Sequence, residues 1–523
     1  MVNEHNMVKK RKRSDQKTLF NAAINPPVFI GSLIILIIVI SSTLYVGTPM
    51  EKWFAEVQTS ISNSTGWFFI LLVNALLFFL IYLSFSRFGQ VRLGGKGTKP
   101  EFSNTSWFAM LFSAGMGIGL LFWGVAEPIM HFNDNPLVNN NDAVKSAQSA
   151  MGITFLHYGI HAWAIYGTLA LALAFFTFNL KLPLTIRSIF YPLLGNRIYG
   201  WMGDVIDIVS VIATIVGLAT SLGFGAQQVN AGLEYLYDVP YSRVTQIVII
   251  AVITILATGS LLAGLDKGIR RLSELNIGLA VALLLFVLFV GPTSYLMKGF
   301  IQNCGYYLDH FFALGFWSES YQGVKSPDHW QNNWTVFYWA WWIAWSPFVG
   351  IFIARISKGR TIRQFIFGVL LVPTIITFLW MSVFGGNALW YELSGDHSIT
   401  QAVQDNVATA IYKLLEKHPF VTLSSILAIL LVASFFVTSS DSGSMVVDTL
   451  TSGGRHEAPK VQKIFWASME GLIASILLLY GGLTALQSAT TITGLAFALI
   501  LVVICISLVR SLRTYWEENH GGD

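Results

Sequence analysis

Apolar residues recur along this chain in runs of about 20, separated by short stretches where the charged residues collect. A run of that length, wound as a helix, crosses ~30 Å of hydrocarbon. The pattern predicts twelve such helices, over residues 28–47, 66–86, 106–129, 150–178, 203–233, 245–264, 275–299, 335–356, 364–388, 421–447, 463–482 and 488–508. Gly, Pro or Ser interrupt several runs, which a bundle accommodates when neighbouring helices satisfy the freed backbone groups. Residues 300–334 and 389–420 have room for short surface helices. In the first of these, Tyr306, Leu308, Phe311, Phe312 and Leu314 provide an apolar face. The expectation is an all-α integral membrane protein: a basic tail over 1–27, a twelve-helix domain over 28–508 and a short tail over 509–523.

Composition sharpens this picture. Of the 523 residues, 54% are apolar and 11% charged, against roughly 25% charged in soluble domains. Two cysteines, Cys304 and Cys505, exclude a disulfide scaffold or a cysteine-rich metal module. The net charge of +4 is too small to imply nucleic acid, and the placement of the charges is more informative. With the predicted spans alternating in direction, 25 of the 32 Lys and Arg residues fall on one side and 7 on the other. The positive-inside rule then puts both termini in the cytoplasm of a multi-pass plasma-membrane protein. Lys9, Lys10, Arg11, Lys12 and Arg13 read as a topology determinant, because the following apolar run is longer than a signal-peptide core. Contact with anionic lipid is their secondary use.

Few groups within the spans can do chemistry: Glu127, His157, His161, Asp204, Asp207, Asp441 and Glu470. No His-Glu-x-x-His, cysteine cluster or Gly-x-Ser-x-Gly accompanies them, so no catalytic residue is assigned and an enzyme is not expected. His157 and His161, four apart on one helix face, read as half of a metal site or, more plainly, as hydrogen-bonded packing residues. Glu127 and Asp441, near the ends of their spans, read as structural hydrogen-bonding groups.

Three segments say more. Gly115-Met116-Gly117-Ile118-Gly119 sits mid-way along the third span, where each glycine costs a helix ~1 kcal/mol relative to alanine. No strand precedes it, which excludes a dinucleotide loop. What remains is close helix packing, or a helix unwound so that its carbonyls face a ligand. In the eighth span, Tyr338, Trp341, Trp342 and Trp345 follow i, i+3, i+4, i+7 and form one stripe, which runs too deep for a headgroup belt. The fourth span adds Tyr158, Trp163 and Tyr166. Converging rings are what a quaternary ammonium requires, since it has no N–H to donate and ring quadrupoles attract it by ~2 kcal/mol or more when desolvated. Lastly, Thr438-Ser439-Ser440-Asp441-Ser442 in the tenth span carries hydroxyls that either bond back to their own helix or coordinate a hard cation such as sodium.

Gly115 to Leu120 followed by Trp123-Gly124-Val125-Ala126-Glu127-Pro128 resembles a signature of the betaine/carnitine/choline transporter family. Trp339 to Phe348, His157 to Tyr166 and Thr438 to Ser442 are similar to three more of its motifs, in family order. The resemblance implies two leading helices followed by a five-plus-five inverted repeat, over about 106–299 and 335–508, and a homotrimer in a bacterial plasma membrane. It implies an aromatic box of Tyr158, Trp163, Tyr166 and Trp342, with Trp341 and Trp345 lining the path and Met116, Gly117 and Gly119 facing the substrate. It implies a main sodium site of Ser113, Met116, Phe435, Thr438 and Ser439, and a second of Thr214, Ser221 and Phe348. Sodium enters as the coupling ion, and no cofactor is implied.

The departures are informative. Tyr158 stands where well-known betaine carriers have Trp, and Leu218 replaces a hydroxyl that some relatives place beside the second site. Gly119 stands where choline-preferring members often carry Asp, which favours betaine. The tail beyond residue 508 is 15 residues long, shorter than in members that sense osmotic stress through a basic tail. The expectation is a sodium-driven importer of glycine betaine for osmotic protection. The alternatives are proton coupling, choline, carnitine or ectoine as substrate, and a sensor that binds without transporting.

Overall fold

In this computed structural model, residues 18–19, 22–115, 117–138, 142–263, 270–322, 329–454 and 459–520 are described. The basic cluster Lys9–Arg13 and Met116 lie outside them. A two-residue antiparallel pair, Thr18–Leu19 with Ala22–Ala23, precedes an otherwise helical chain. α1 covers Pro26–Val46 and α2 Pro49–Phe85, and α3 is two half-helices, Asn104–Gly115 and Ile118–Asn133. α4 is also divided, into Ala143–Tyr158 and Ile160–Phe178. α5 is Trp201–Tyr237, α6 Arg243–Ala263, α7 Arg270–Val290, α8 Phe337–Ile356, α9 Ile362–Leu393 and α10 Val421–Thr451. The final helical stretch, Lys460–His520, leaves helical torsions at Gly482 (φ 59°), which separates α11 (460–481) from α12 (483–520). A φ in that region is open to glycine at little cost. The twelve-helix membrane fold expected from the apolar pattern is the fold observed.

Burial separates the helices into a core and a lipid-facing rim. In the apolar stretches of α4 and α8, 94% of residues are buried, against 28% in α6 and α7 and 22% in α1. Ile34 and Ile38 of α1 and Ile255 of α6 are among the exposed apolar side chains, the surface a bilayer covers. The segments that carry Tyr158, Trp163 and Tyr166 and the tryptophan stripe thus occupy the centre of the bundle.

Packing is reciprocal in the way an inverted repeat of α3–α7 and α8–α12 requires. The Trp342 indole N–H of α8 donates to the His157 carbonyl of α4 at 2.9 Å, and that of Trp380 in α9 donates to the Leu120 carbonyl of α3 at 3.0 Å. The Thr220 hydroxyl of α5 reaches the Leu486 carbonyl of α12 at 2.9 Å, while Asn276 of α7 reaches the Ser434 carbonyl of α10 at 3.2 Å. Swapping the two units exchanges the members of each pair. The self-paired contacts are present too, α5 on α10 through Leu218 and Gly443, and α6 on α11 through Thr254 and Gly471.

Several boundaries differ from the sequence expectation, the largest at α2, which begins at Pro49 rather than 66. α7 ends at Val290 rather than 299, and Thr293–Asp309 forms a separate helix. Gly291 and Pro292 stop α7, since proline has no N–H to continue the ladder. This separate helix and Phe311–Phe316 turn Asn303, Tyr307 and Leu314 inward and leave Leu308 and Phe312 exposed. Finally, the segment after residue 508 is helical to His520, with Tyr515 set against Phe175 and Trp516 against Phe88.

Candidate functional site

The break in α3 and the break in α4 face the aromatic stripe of α8. At Gly159 an added Cβ would lie 2.4 Å from the Phe155 carbonyl oxygen, so only glycine permits the chain's path there. Tyr158 stands just before this break, and Trp163 and Tyr166 just after it. The Trp342 ring lies 5.6 Å from Tyr158 and 6.3 Å from Tyr166, edge-on to both, and stacks on Trp341 at 4.7 Å. Trp345 is edge-on to Trp341 and Trp342 at 6.4 Å from each, and Trp163 packs edge-on to Tyr166 at 5.6 Å. All six are buried. From α3, the Cβ direction of Gly119 points at Trp341, Tyr158 and Trp342, and that of Gly117 at Ser439 and Trp345. The structure therefore brings together Gly117, Gly119, Tyr158, Tyr166, Trp341, Trp342 and Trp345, with Trp163 behind Tyr166. The indole N–H groups of Trp163, Trp341 and Trp345 and the hydroxyl of Tyr166 are buried without a hydrogen-bond partner among the described residues. Buried donors normally find an acceptor, so this cluster combines ring faces with unused donors.

Behind the cage lies a polar network that the sequence reading did not assemble. Glu127 of α3 accepts hydrogen bonds from His157 Nδ1 at 2.7 Å, from His131 Nε2 at 3.2 Å and from the Tyr338 hydroxyl. Tyr338 and Tyr158 meet hydroxyl to hydroxyl at 3.2 Å, and Tyr158 lies 3.2 Å from the Gly119 carbonyl oxygen. A chain of hydrogen-bonding groups thus joins Glu127 to the broken segment of α3. His157 and His161 are both buried and hydrogen-bonded but to different partners: His161 turns to Asn74 at 3.2 Å and Tyr307 at 3.4 Å. The break at Gly159 lies between the two histidines and directs them to different neighbours. The partner that sequence spacing offered was His131, four residues after Glu127 on the same helix.

The sodium candidates are placed as follows. Ser439 has its hydroxyl oxygen 3.4 Å from the Cβ position of Gly117, so α10 meets the break in α3. Thr438 Oγ1 accepts from Asn276 Nδ2 at 2.9 Å and is 3.0 Å from the Phe435 carbonyl oxygen, to which it can donate. One lone pair of that oxygen is left for an ion. Ser113 lies in the first half of α3. Thr214 and Ser221 sit one turn to either side of Gly217, whose added Cβ would lie 2.8 Å from the Trp345 ring. Phe348 packs edge-on against that same ring at 5.6 Å. Leu218 points away from them, into the space beside Gly443 of α10.

The remaining ionisable groups have structural partners. Asp204 and Asp207 hold Arg187, with Asp204 Oδ1 at 2.9 Å from the guanidinium. Asp441 accepts from Ser260 at 2.6 Å, and Glu470 from Ser444 at 3.1 Å.

A buried aromatic cluster at paired helix breaks, inside a twelve-helix membrane bundle, defines a membrane transporter rather than an enzyme. The profile of the betaine/carnitine/choline family transporter matches residues 27–517. The chain is 46% identical to the glycine betaine transporter of Acinetobacter baylyi, over 94% of this chain and 74% of that one. It is 43% identical to a glycine betaine/proline/choline transporter of Vibrio parahaemolyticus, over 94% of this chain and 91% of the relative. The high-affinity choline transport protein of Escherichia coli is 41% identical, over 96% of this chain and 74% of that one. The protein belongs to the betaine/carnitine/choline transporter family.

Proposed function

We propose that the protein imports glycine betaine, or a similar trimethylammonium osmolyte, driven by sodium, and serves in osmotic protection. The observation that carries the reading is the cage. Tyr158 and Tyr166 both pack edge-on to Trp342, and on the side facing Trp341, Tyr158 and Trp342 Gly119 brings no charge. Glycine betaine is net neutral: the rings attract its trimethylammonium, and the unused indole and phenol donors suit its carboxylate. The distribution of Lys and Arg supports a cytoplasmic N-terminus, and the family resemblance supports a homotrimer.

The direct test is uptake of labelled glycine betaine by liposomes containing only this protein. Accumulation that requires an inward sodium gradient is expected. Uptake that follows a proton gradient without sodium overturns the coupling, and binding without flux makes the protein a sensor.

Substrate choice follows from position 119. A Cβ added there meets Trp341 at 3.4 Å, Tyr158 at 3.5 Å and Trp342 at 3.8 Å, ordinary van der Waals distances, so the first carbon of a side chain is accommodated. Choline brings a charge that the wild-type cluster does not balance at this position. Gly119→Asp is therefore expected to raise choline uptake while wild type prefers betaine. A folded Gly119→Asp protein with no gain in choline uptake refutes the assignment of Gly119.

Coupling follows from energetics. At ~100 mV one inward sodium releases about 2.3 kcal/mol, and a tenfold gradient adds about 1.4 kcal/mol. One ion thus supports roughly 500-fold accumulation of a zwitterion, and two support about 10⁵-fold. Thr438→Ala is expected to cripple uptake, and Thr214→Ala to raise the sodium concentration at half-maximal rate. Reversal-potential measurements are expected to give two sodium ions per betaine. A ratio of one means that the site around Thr214, Ser221 and Phe348 is idle.

A further inference from the structure

Glu127, His131 and His157 converge beside the cage, yet the transport reading uses none of their ring nitrogens. Glu127 Oε1, His131 Nε2 and His157 Nδ1 all lie within 4.8 Å of one another, and all three side chains are fully buried. Two of the three edges measure 2.7 and 3.2 Å. In a tetrahedral site with bonds of ~2.0–2.1 Å, ligand atoms stand about 3.3 Å apart. Small side-chain rotations therefore bring these donors to a common centre. Glu127 and His131 are one turn apart on the same half of α3, so a single helix presets two ligands, and α4 supplies the third.

For His157 and Glu127, the atoms facing away from that centre are held as outer-shell groups are in metal sites, while His131 Nδ1 is buried without a partner among the described residues. His157 Nε2 lies 3.0 Å from Thr335 Oγ1, which orients the ring and leaves Nδ1 for the metal. Glu127 Oε2 accepts from Tyr338, which leaves Oε1 free to turn toward the same point. Trp330 and Trp334 pack against His131, with ring centres 5.0 and 4.3 Å away, and give the site an apolar wall. A set of two imidazoles and one carboxylate suits zinc and its first-row neighbours rather than sodium or magnesium.

We propose that Glu127, His131 and His157 bind a first-row transition-metal ion of the zinc class, with water in the fourth position. The ion would clasp α3 to α4 one hydrogen-bonding step behind Tyr338 and Tyr158. Its occupancy would thereby act on the cage from a separate site.

The test is titration of cobalt(II) into the full chain, purified in detergent and stripped with a chelator. One equivalent should bind with the intense visible bands of tetrahedral cobalt, and zinc should displace it. His131→Asn should abolish those bands. Thr335→Val, which removes only the partner of His157 Nε2, should weaken binding ~10–100-fold. Absence of tetrahedral bands in wild type overturns the proposal and leaves the three side chains a hydrogen-bonded cluster. A one-equivalent signal that survives His131→Asn overturns it equally, by placing the metal elsewhere. If His131→Asn does not yield a monodisperse protein, Glu127→Gln takes its place with the same two outcomes. The readout requires no substrate, so its failure and that of the transport reading are separate results.

Discussion

Replacing Trp342 with leucine is expected to lower glycine betaine affinity at least tenfold, or about 1.4 kcal/mol. The ring is 4% exposed, stacks on Trp341 and meets Tyr158 and Tyr166 edge-on, so it forms the shared wall of the cage. Leucine retains apolar volume and removes the quadrupole that draws a trimethylammonium group. Its N–H also holds the His157 carbonyl beside the break in α4, and both leucine and phenylalanine lose that bond. The comparison of Trp342→Leu with Trp342→Phe therefore isolates the ring from the hydrogen bond. Phenylalanine should retain a measurable part of the affinity in a titration calorimeter. If the two variants bind betaine equally, the ring face is not what holds the substrate.

Glu127→Ala should be among the most destabilising single changes in the protein. It removes the acceptor shared by His131, His157 and Tyr338, all of them fully buried. Breaking a buried polar pair by deleting one partner costs ~3–5 kcal/mol, because the groups left behind are desolvated and unpaired. Glu127→Gln keeps the shape and one carbonyl acceptor, so its cost should be nearer ~1–3 kcal/mol. Thermal unfolding of the two variants in detergent should rank them wild type, Gln, Ala. Equal midpoints for Gln and Ala would mean that the carboxyl oxygens at Glu127 are not the hub of this network.

Local features and tertiary ones differed in how well they could be read. The three alternating glycines of α3 left close helix packing and unwinding both open, and the structure breaks the helix there. The break in α4 had no such signal: Gly159 is a lone glycine in an apolar run, and the reason for it is its close approach to Phe155 and Phe378. The stripe on α8 followed from helical spacing alone, since residues i, i+3, i+4 and i+7 share a face in any α-helix. The separate fates of His157 and His161 were hidden for the complementary reason, because the spacing rule assumes an unbroken helix. The end of α7 at Gly291-Pro292 carried a sequence signal that the surrounding hydrophobicity outweighed.

By itself the sequence determined the membrane class, the twelve crossings and the aromatic stripe, because each depends on residues within one helix and on the bilayer's demand for internal hydrogen bonds. Only the tertiary structure decided which rings pack together, that Ser439 meets Gly117, and that Leu218 turns toward Gly443. It also joined Glu127 to Tyr158 through Tyr338, residues that lie on three different helices. Such contacts depend on the rotation and crossing of helices far apart in the chain. Those are set by side-chain packing across the whole bundle, and periodicity along any one helix is blind to them.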